Sequence, residues 1–327
     1  MLVISMGCPA GVGPEVAVAA AARRRRSSVV IVGDEATLRA AAEVVRVPRR
    51  RLVPFTGAPL PPGKIGVLQV GLPLAARDRA PGRPTRRSGA AQLDYVGAAL
   101  DLARAAPGRA LVTAPVSKAV IARSGAPGSG VFLGHTEWLR DRDRARTAVM
   151  CFASARLTTS LATTHVSIAD LPRRLGAASV ADATYWLGRL LLALGRVAPR
   201  LAVCSLNPHA GETELLGDEE RTAILPGLRA ARRRLRGVVV EGPIGAETAY
   251  RKAYAGEYDG VVAMYHDQAT IPLKLVAFGA AVNVTMGLSV VRTSVDHGTA
   301  YDIAWQGRAS PSGMLAALDL AERLTAP

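Results

Sequence analysis

The chain has 327 residues, 49% of them hydrophobic, and a formal net charge of +15 from 41 lysines and arginines against 26 aspartates and glutamates. That length can bury one large or two medium cores, and no apolar run is long enough to span a bilayer, so a soluble protein without a membrane segment is expected. The excess of cations admits a nucleic-acid partner or an anionic substrate. An aromatic content of 4% is too thin for the stacking platforms of single-strand binders, and the arginine runs Arg23 to Arg26, Arg49 to Arg51 and Arg232 to Arg234 fall at predicted helix ends or in loops. A solvated basic surface is the expectation there, and no nucleic acid.

The first stretch, Met1-Leu2-Val3-Ile4-Ser5-Met6, lacks a basic flank and runs straight into Gly7-Cys8-Pro9-Ala10-Gly11-Val12-Gly13-Pro14-Glu15. It predicts a first strand and not a secretion signal, which points to the cytoplasm. Pro14 suits a first helical turn, and Glu15 suits the positive end of a helix dipole. The loop is not a Walker A loop, because no Gly-Lys-Ser/Thr follows, and its glycines do not match G-x-G-x-x-G. Val29 to Val32 predicts a second strand and Asp34 to Val45 a helix, whereas Val47 to Pro84 is rich in proline and glycine with short strands at best. A helix from about Gly89 to Ala105 precedes the strand Ala110 to Val112, which ends at Thr113-Ala114-Pro115-Val116-Ser117-Lys118 and opens another helix. Strands then follow at Ala148 to Phe152, Leu157 to Thr164, Leu201 to Leu206, Val238 to Val240 and Val261 to Met264, with helices near Ala177 to Leu194 and Asp218 to Leu235. This alternation predicts α/β layers with a largely parallel sheet. Cys8, Cys151 and Cys204 are far apart in sequence, so neither a disulfide framework nor a cysteine-built zinc site is expected.

The stretch with most chemistry runs from Val261 to Asp302. Val261-Val262-Ala263-Met264 stops on Tyr265-His266-Asp267-Gln268, as a buried parallel strand does when it delivers side chains to the carboxyl edge of a sheet, where ligands of open α/β proteins bind. Ala281 to Thr285 and Val290-Val291 are read as delivering Asn283 and Arg292 in the same way. Lys274, just after Pro272, is expected in the first turn of a short helix. His165, after Leu161-Ala162-Thr163-Thr164, and His209, in Asn207-Pro208-His209-Ala210-Gly211-Glu212, occupy places comparable to His266. One such histidine ordinarily just closes a turn, but three at equivalent sheet-edge positions offer three nitrogens to one divalent ion with room left for substrate. Gly134-His135-Thr136-Glu137 opens a helix, where free N–H groups, a hydroxyl and an imidazole suit a phosphate or carboxylate, or where Thr136 is simply a cap.

These motifs, in this order, resemble the 4-hydroxythreonine-4-phosphate dehydrogenase family of vitamin B6 (pyridoxal phosphate) biosynthesis along nearly the whole chain. The residues that carry the resemblance are Pro9 to Glu15, Pro115 to Lys118, Gly134 to Glu137, Thr163 to His165, Leu206 to Glu212, Tyr265 to Gln268 and Arg292 to Ala300. It implies a two-domain isocitrate/isopropylmalate dehydrogenase-like fold in α/β/α layers, with 1–128 and 280–327 in one domain and 129–279 in a second that carries the metal and substrate site in the cleft. It implies one divalent metal (Zn, Mg or Co) on His165, His209 and His266, substrate on His135, Thr136, Lys274, Asn283 and Arg292, and catalytic roles for Lys274 and Glu247. His297 to Ala304 looks like a nicotinamide-dinucleotide loop, with Gly298, Thr299 and Asp302 as contacts to NAD or NADP.

The implied reaction is oxidation of 4-phosphooxy-L-threonine to a β-keto acid that loses carbon dioxide to give 3-amino-2-oxopropyl phosphate. The resemblance also implies a homodimer with a shared active site. Cys8 stands where an acid is usual, Glu247 where the family has Asp, Trp305-Gln306 replaces a smaller glycine-containing stretch, and Gly128 to Val131 is an insertion. Relatives with the same frame act on phosphorylated sugar acids or aromatic dihydrodiols, which stand as the alternative substrates.

Overall fold

A computed structural model describes residues 1–25 and 27–326; Arg26, the end of the first arginine run, lies outside them. Two compact units are present, Met1–Arg146 with the segment from Leu288 on, and Thr147–Gly287. The changes of unit fall after Arg146 and Gly287, where the sequence expectation put them after 128 and 279. The helix that follows the Gly134 turn packs in the first unit, where its Leu139 is buried among Val96, Leu100 and Leu111.

In the first unit the chain forms β1 (Leu2–Ser5), α1 (Gly13–Arg23), β2 (Val29–Gly33), α2 (Glu35–Val44), β3 (Leu52–Pro54), β4 (Ile65–Gln69), α3 (Arg86–Arg104), β5 (Ala110–Thr113), α4 (Lys118–Ala122) and α5 (His135–Asp143). The second unit holds β6 (Val149–Ala153), β7 (Thr158–Leu161), α6 (Leu171–Arg174), α7 (Ala177–Ala193), β8 (Arg200–Cys204), α8 (Leu225–Arg234), β9 (Val239–Ile244), α9 (Ala246–Tyr254), β10 (Gly260–Ala263), α10 (His266–Ala277) and β11 (Val282–Met286). The chain then returns to the first unit with β12 (Val291–Ser294) and α11 (Ser312–Thr325).

The strand order of the first unit is β3-β4-β2-β1-β5-β12, and every pairing in it is parallel. β1, β2 and β5 are buried along their whole length, which is why they read as unbroken apolar runs. The second unit runs β11-β6-β7-β10-β8-β9. There β7, β10, β8 and β9 are parallel, but β6 is antiparallel to both β7 and β11. The class is therefore α/β with a largely parallel sheet, as expected, while β11 departs from the parallel reading of Ala281 to Thr285. Between Phe152 and Leu157 there is too little chain for a crossover. Ser154 makes the turn instead, its hydroxyl accepting from Leu157 N at 3.0 Å.

Caps explain several helix starts. Asp34 accepts from Thr37 N at 2.8 Å, and α3 begins earlier than Gly89 because Thr85 and Ser88 form a reciprocal capping box. Some of the arginines tie backbone together: Arg51 donates to Ala22 O at 2.7 Å and Gly63 O at 2.9 Å, and Arg232 to Val240 O at 2.7 Å. Among the described residues no helix is long and apolar enough to cross a membrane.

Candidate active site

In the second unit, β7 and β10 end in register, and two histidines follow that edge. Ala162 N donates to Ala263 O at 2.8 Å and Thr163 N to Met264 O at 3.2 Å, so His165 and His266 each stand two residues beyond a bonded pair. Their ring centroids are 6.0 Å apart and 33° from coplanar. Imidazoles bound to one ion at about 2.0–2.1 Å have centroids roughly 5 to 6 Å apart, so the pair has the spacing of two ligands of a single cation. Asp267 Oδ1 lies 2.7 Å from His266 Nδ1, the arrangement that leaves Nε2 available to a metal and holds the ring in orientation.

His209 leaves the same sheet edge from β8, the strand beside β10. It begins a run of left-handed residues, His209, Ala210, Gly211, Glu212, Thr213 and Glu214, with φ from 44° to 82°, a conformation that costs non-glycine residues energy. The turn is braced from behind, where Glu220 accepts from Leu206 N at 2.8 Å and Asn207 N at 2.9 Å. His209 itself is exposed. Among the described residues no group of three His, Cys, Asp or Glu is close enough to hold an ion; two of the three expected nitrogens come together and the third does not.

Lys274 lies in the last turn of α10, not the first turn of a short helix. α10 already starts at His266 from an extended Tyr265, and Pro272 is accommodated inside it. Asn283 is half-buried as the second residue of β11, within the strand and not at its end. Glu247 is exposed in the first turn of α9, where its carboxylate takes hydrogen bonds from Thr248 at 2.9 Å and Arg251 at 3.0 Å, which hold its pKa below the ordinary value.

In the first unit a second cluster forms at the start of α5. Arg292 is the second residue of β12, not the end of a strand, and is 2% exposed. Its Nη2 donates to Thr113 Oγ1, at the end of β5, at 2.6 Å. Burial pulls this guanidinium down to about 9, with Glu137 opposing the shift, so it remains a cation at neutral pH. His135 is the first residue of α5, its ring edge-on to Phe132 at 6.0 Å, and among the described residues its buried Nε2 has no hydrogen-bond partner. Burial, then Arg292 and Lys118, drive its pKa well below the ordinary value, so the ring is neutral. Thr136 beside it is buried. A neutral imidazole, a hydroxyl, the amides of a helix start and a buried guanidinium are groups whose chemistry suits an oxyanion.

The expected nucleotide loop is held by the glycine loop after β1. Val12 N donates to Thr299 O at 3.0 Å, and a Cβ on Gly11 would lie 2.8 Å from that oxygen, so only glycine permits the approach. The buried Glu15 accepts from Trp305 N at 2.6 Å and Gly307 N at 2.9 Å, and Trp305 Nε1 donates to Pro9 O at 3.1 Å. These bonds hold Trp305 at φ 64°, where a glycine would sit without strain. Gly298 and Asp302 stay exposed on the loop, with open space around Gly298. Cys8 is buried, its Sγ 3.4 Å from Tyr301 Oη, and burial raises its pKa, so the thiol is a neutral group here.

The family model described as pyridoxal phosphate biosynthetic protein PdxA matches residues 25–321. The chain belongs to this family. It is similar to 4-hydroxythreonine-4-phosphate dehydrogenase of Desulfosudis oleivorans, at 39% identity over 97% of this chain and 94% of the relative. Among solved structures it is similar to the enzyme of the same name from Klebsiella pneumoniae, with a TM-score of 0.83, 35% identity, and coverage of 100% and 99% of the two chains. A terephthalate 1,2-cis-dihydrodiol dehydrogenase from Burkholderia xenovorans is also similar, with a TM-score of 0.69, 30% identity, and coverage of 98% and 97%. Within the PdxA frame, sequence reasoning gave no role to Thr113, Lys118 or Glu137. The position of Lys118 just past the apolar run of β5 was the signal for it.

Proposed function

We propose that the chain oxidises the secondary alcohol of 4-phosphooxy-L-threonine with NAD or NADP, giving a β-keto acid that loses carbon dioxide to 3-amino-2-oxopropyl phosphate in pyridoxal phosphate biosynthesis. Family membership and the names of relatives such as that of Desulfosudis oleivorans support the activity. The single observation that carries the substrate class is the buried Arg292 held by Thr113 beside the partnerless Nε2 of His135. Such a cluster rewards an oxyanion and leaves costly buried polar groups when none is bound.

In this reading the start of α5 takes the phosphate, while Lys274 and Asn283 are assigned to substrate binding from their places in the family. Glu247 is assigned to proton handling from its place in the family. His165 and His266 hold a divalent ion, and His209 joins them when its left-handed turn relaxes onto the metal. The bound ion would acidify the alcohol and stabilise negative charge on oxygen during decarboxylation. Gly298, Thr299 and Asp302 receive the nucleotide, with the loop held by Glu15.

A homodimer fits the exposed apolar residues Ile271 and Leu275 on α10, the helix that carries His266 and Lys274, and Phe278 just past its end. Substituting Leu275→Asp would then yield monomers in sedimentation. The cytoplasm is the compartment where the nicotinamide cofactors are supplied, and we place the enzyme there. The Burkholderia relative gives the competing substrate, an aromatic dihydrodiol. Incubation with 4-phosphooxy-L-threonine, NAD and a divalent metal tests the reading: carbon dioxide and an amino-oxopropyl phosphate should appear in equal amounts with reduced cofactor, and absence of decarboxylated product would contradict it.

A further inference from the structure

Lys118 is held in place with the same care as the residues around it. The segment from Thr113 to Lys118 leaves the end of β5. Pro115 O accepts from Cys8 N at 2.9 Å, and Ser117 N donates to Oε1 of the buried Gln92 at 2.8 Å. Gln92 is itself fixed by donating to Ser88 O at 3.0 Å. The first residue of α4 therefore has a defined position. Its ammonium faces the turn that starts α5: a Cβ placed on Gly134 would lie 3.4 Å from Lys118 Nζ and 3.2 Å from Glu137 Oε2. Cation and carboxylate thus flank the backbone at the mouth of the oxyanion cluster.

Charge counting then gives Lys118 a role. Arg292 and Glu137 bring one positive and one negative charge, and the buried His135 ring is neutral. Without Lys118 the cluster is balanced and has no net attraction for a dianion over an uncharged hydroxyl. With Lys118 it carries a net positive charge beside the amides of the α5 start, which is what a phosphate rewards.

We propose that Lys118 is a substrate-binding residue that contacts the phosphate together with Arg292 and the His135–Thr136 turn, and that it sets the preference for phosphorylated over non-phosphorylated substrates. This rests on the phosphate reading of the site given above. An ammonium on a flexible stem acts as a point charge toward phosphate, so its loss weakens binding without disturbing the reacting carbon.

The test measures two things on the wild type, Lys118→Met and Lys118→Arg. One is the affinity for inorganic phosphate by calorimetry. The other is KM and kcat for 4-phosphooxy-L-threonine. Lys118→Met is expected to weaken phosphate binding and raise KM by about 10- to 100-fold while kcat falls much less, with Lys118→Arg recovering most of both. A methionine variant that binds inorganic phosphate as the wild type does, or an arginine variant no better than methionine, would overturn the role of Lys118. Should the wild type fail to turn over the phosphorylated substrate while Lys118→Met still loses phosphate affinity, the proposed function falls and the anion role of Lys118 stands.

Discussion

Arg292 Nη2 donates to Thr113 Oγ1 at 2.6 Å, and this bond joins the second residue of β12 to the last residue of the neighbouring parallel strand β5. In the register, Ser294 and not Arg292 faces Thr113, so the long side chain runs along the sheet toward its carboxyl edge. The bond fixes the direction in which the guanidinium lies. Arg292→Met should lower kcat/KM for the phosphorylated substrate by roughly 100-fold or more, because a charge-assisted contact is lost. Thr113→Val, which keeps the charge and removes only the aim, should cost about tenfold. Equal kcat/KM in both variants and the wild type, measured by steady-state kinetics, would remove Arg292 from the site.

His135 makes stability depend on pH. Its folded pKa is depressed by burial and by Arg292 and Lys118, so below about pH 6.5 the unfolded chain takes up a proton that the folded chain refuses. Stability is therefore full above that pH and falls as pH drops, by up to about 1.4 kcal/mol per pH unit. Denaturant unfolding of the wild type and His135→Gln between about pH 7 and 5 should show a shallower loss in the variant. Parallel curves would mean that His135 takes up its proton in the fold as readily as in the unfolded chain.

How much of this was legible in the sequence depended on what each residue's neighbours revealed. β1, β2, β5 and β10 were readable because strands buried on both faces are continuous apolar runs. The places of His165 and His266 beyond β7 and β10 were readable because each closely follows an expected strand, Leu157 to Thr164 and Val261 to Met264. Arg292 was misplaced because Val290-Val291 followed by a cation looks like a strand that has ended, whereas Thr293 and Ser294 continue it as buried polar residues. Pro272 suggested a helix start for Lys274, but α10 was already under way from His266. The strained turn that carries His209 away from its partners left no mark in composition, since only Gly211 among its six left-handed residues is a glycine.

The Glu15 clamp predicts a separation of cofactor from phosphate effects. Glu15→Ala leaves the amides of half-buried Trp305 and exposed Gly307 without their acceptor, at a cost of about 1 kcal/mol for each hydrogen bond. The variant should lose stability in denaturant and show a raised KM for NAD or NADP, while calorimetric affinity for inorganic phosphate stays within about twofold. An unchanged KM for the nucleotide would detach residues 298–307 from cofactor binding.

The histidines predict a graded metal response. His165→Ala and His266→Ala, which remove members of the assembled pair, should weaken zinc or cobalt binding by at least about 100-fold in calorimetry. His209→Ala should cost less, because its imidazole must first be drawn in from a strained turn. A loss at His209 as large as at the other two would show that all three nitrogens are preassembled.

The central claim is that this PdxA-family chain acts on a phosphorylated hydroxy amino acid. It is tested most directly by comparing kcat/KM for 4-phosphooxy-L-threonine with that for terephthalate cis-dihydrodiol, using the same metal-loaded protein and cofactor. The account predicts a preference of at least about 100-fold for the phosphorylated substrate, since a site built for an oxyanion rejects ligands that leave its buried donors unpaired. Equal efficiency, or a preference for the dihydrodiol, would contradict it.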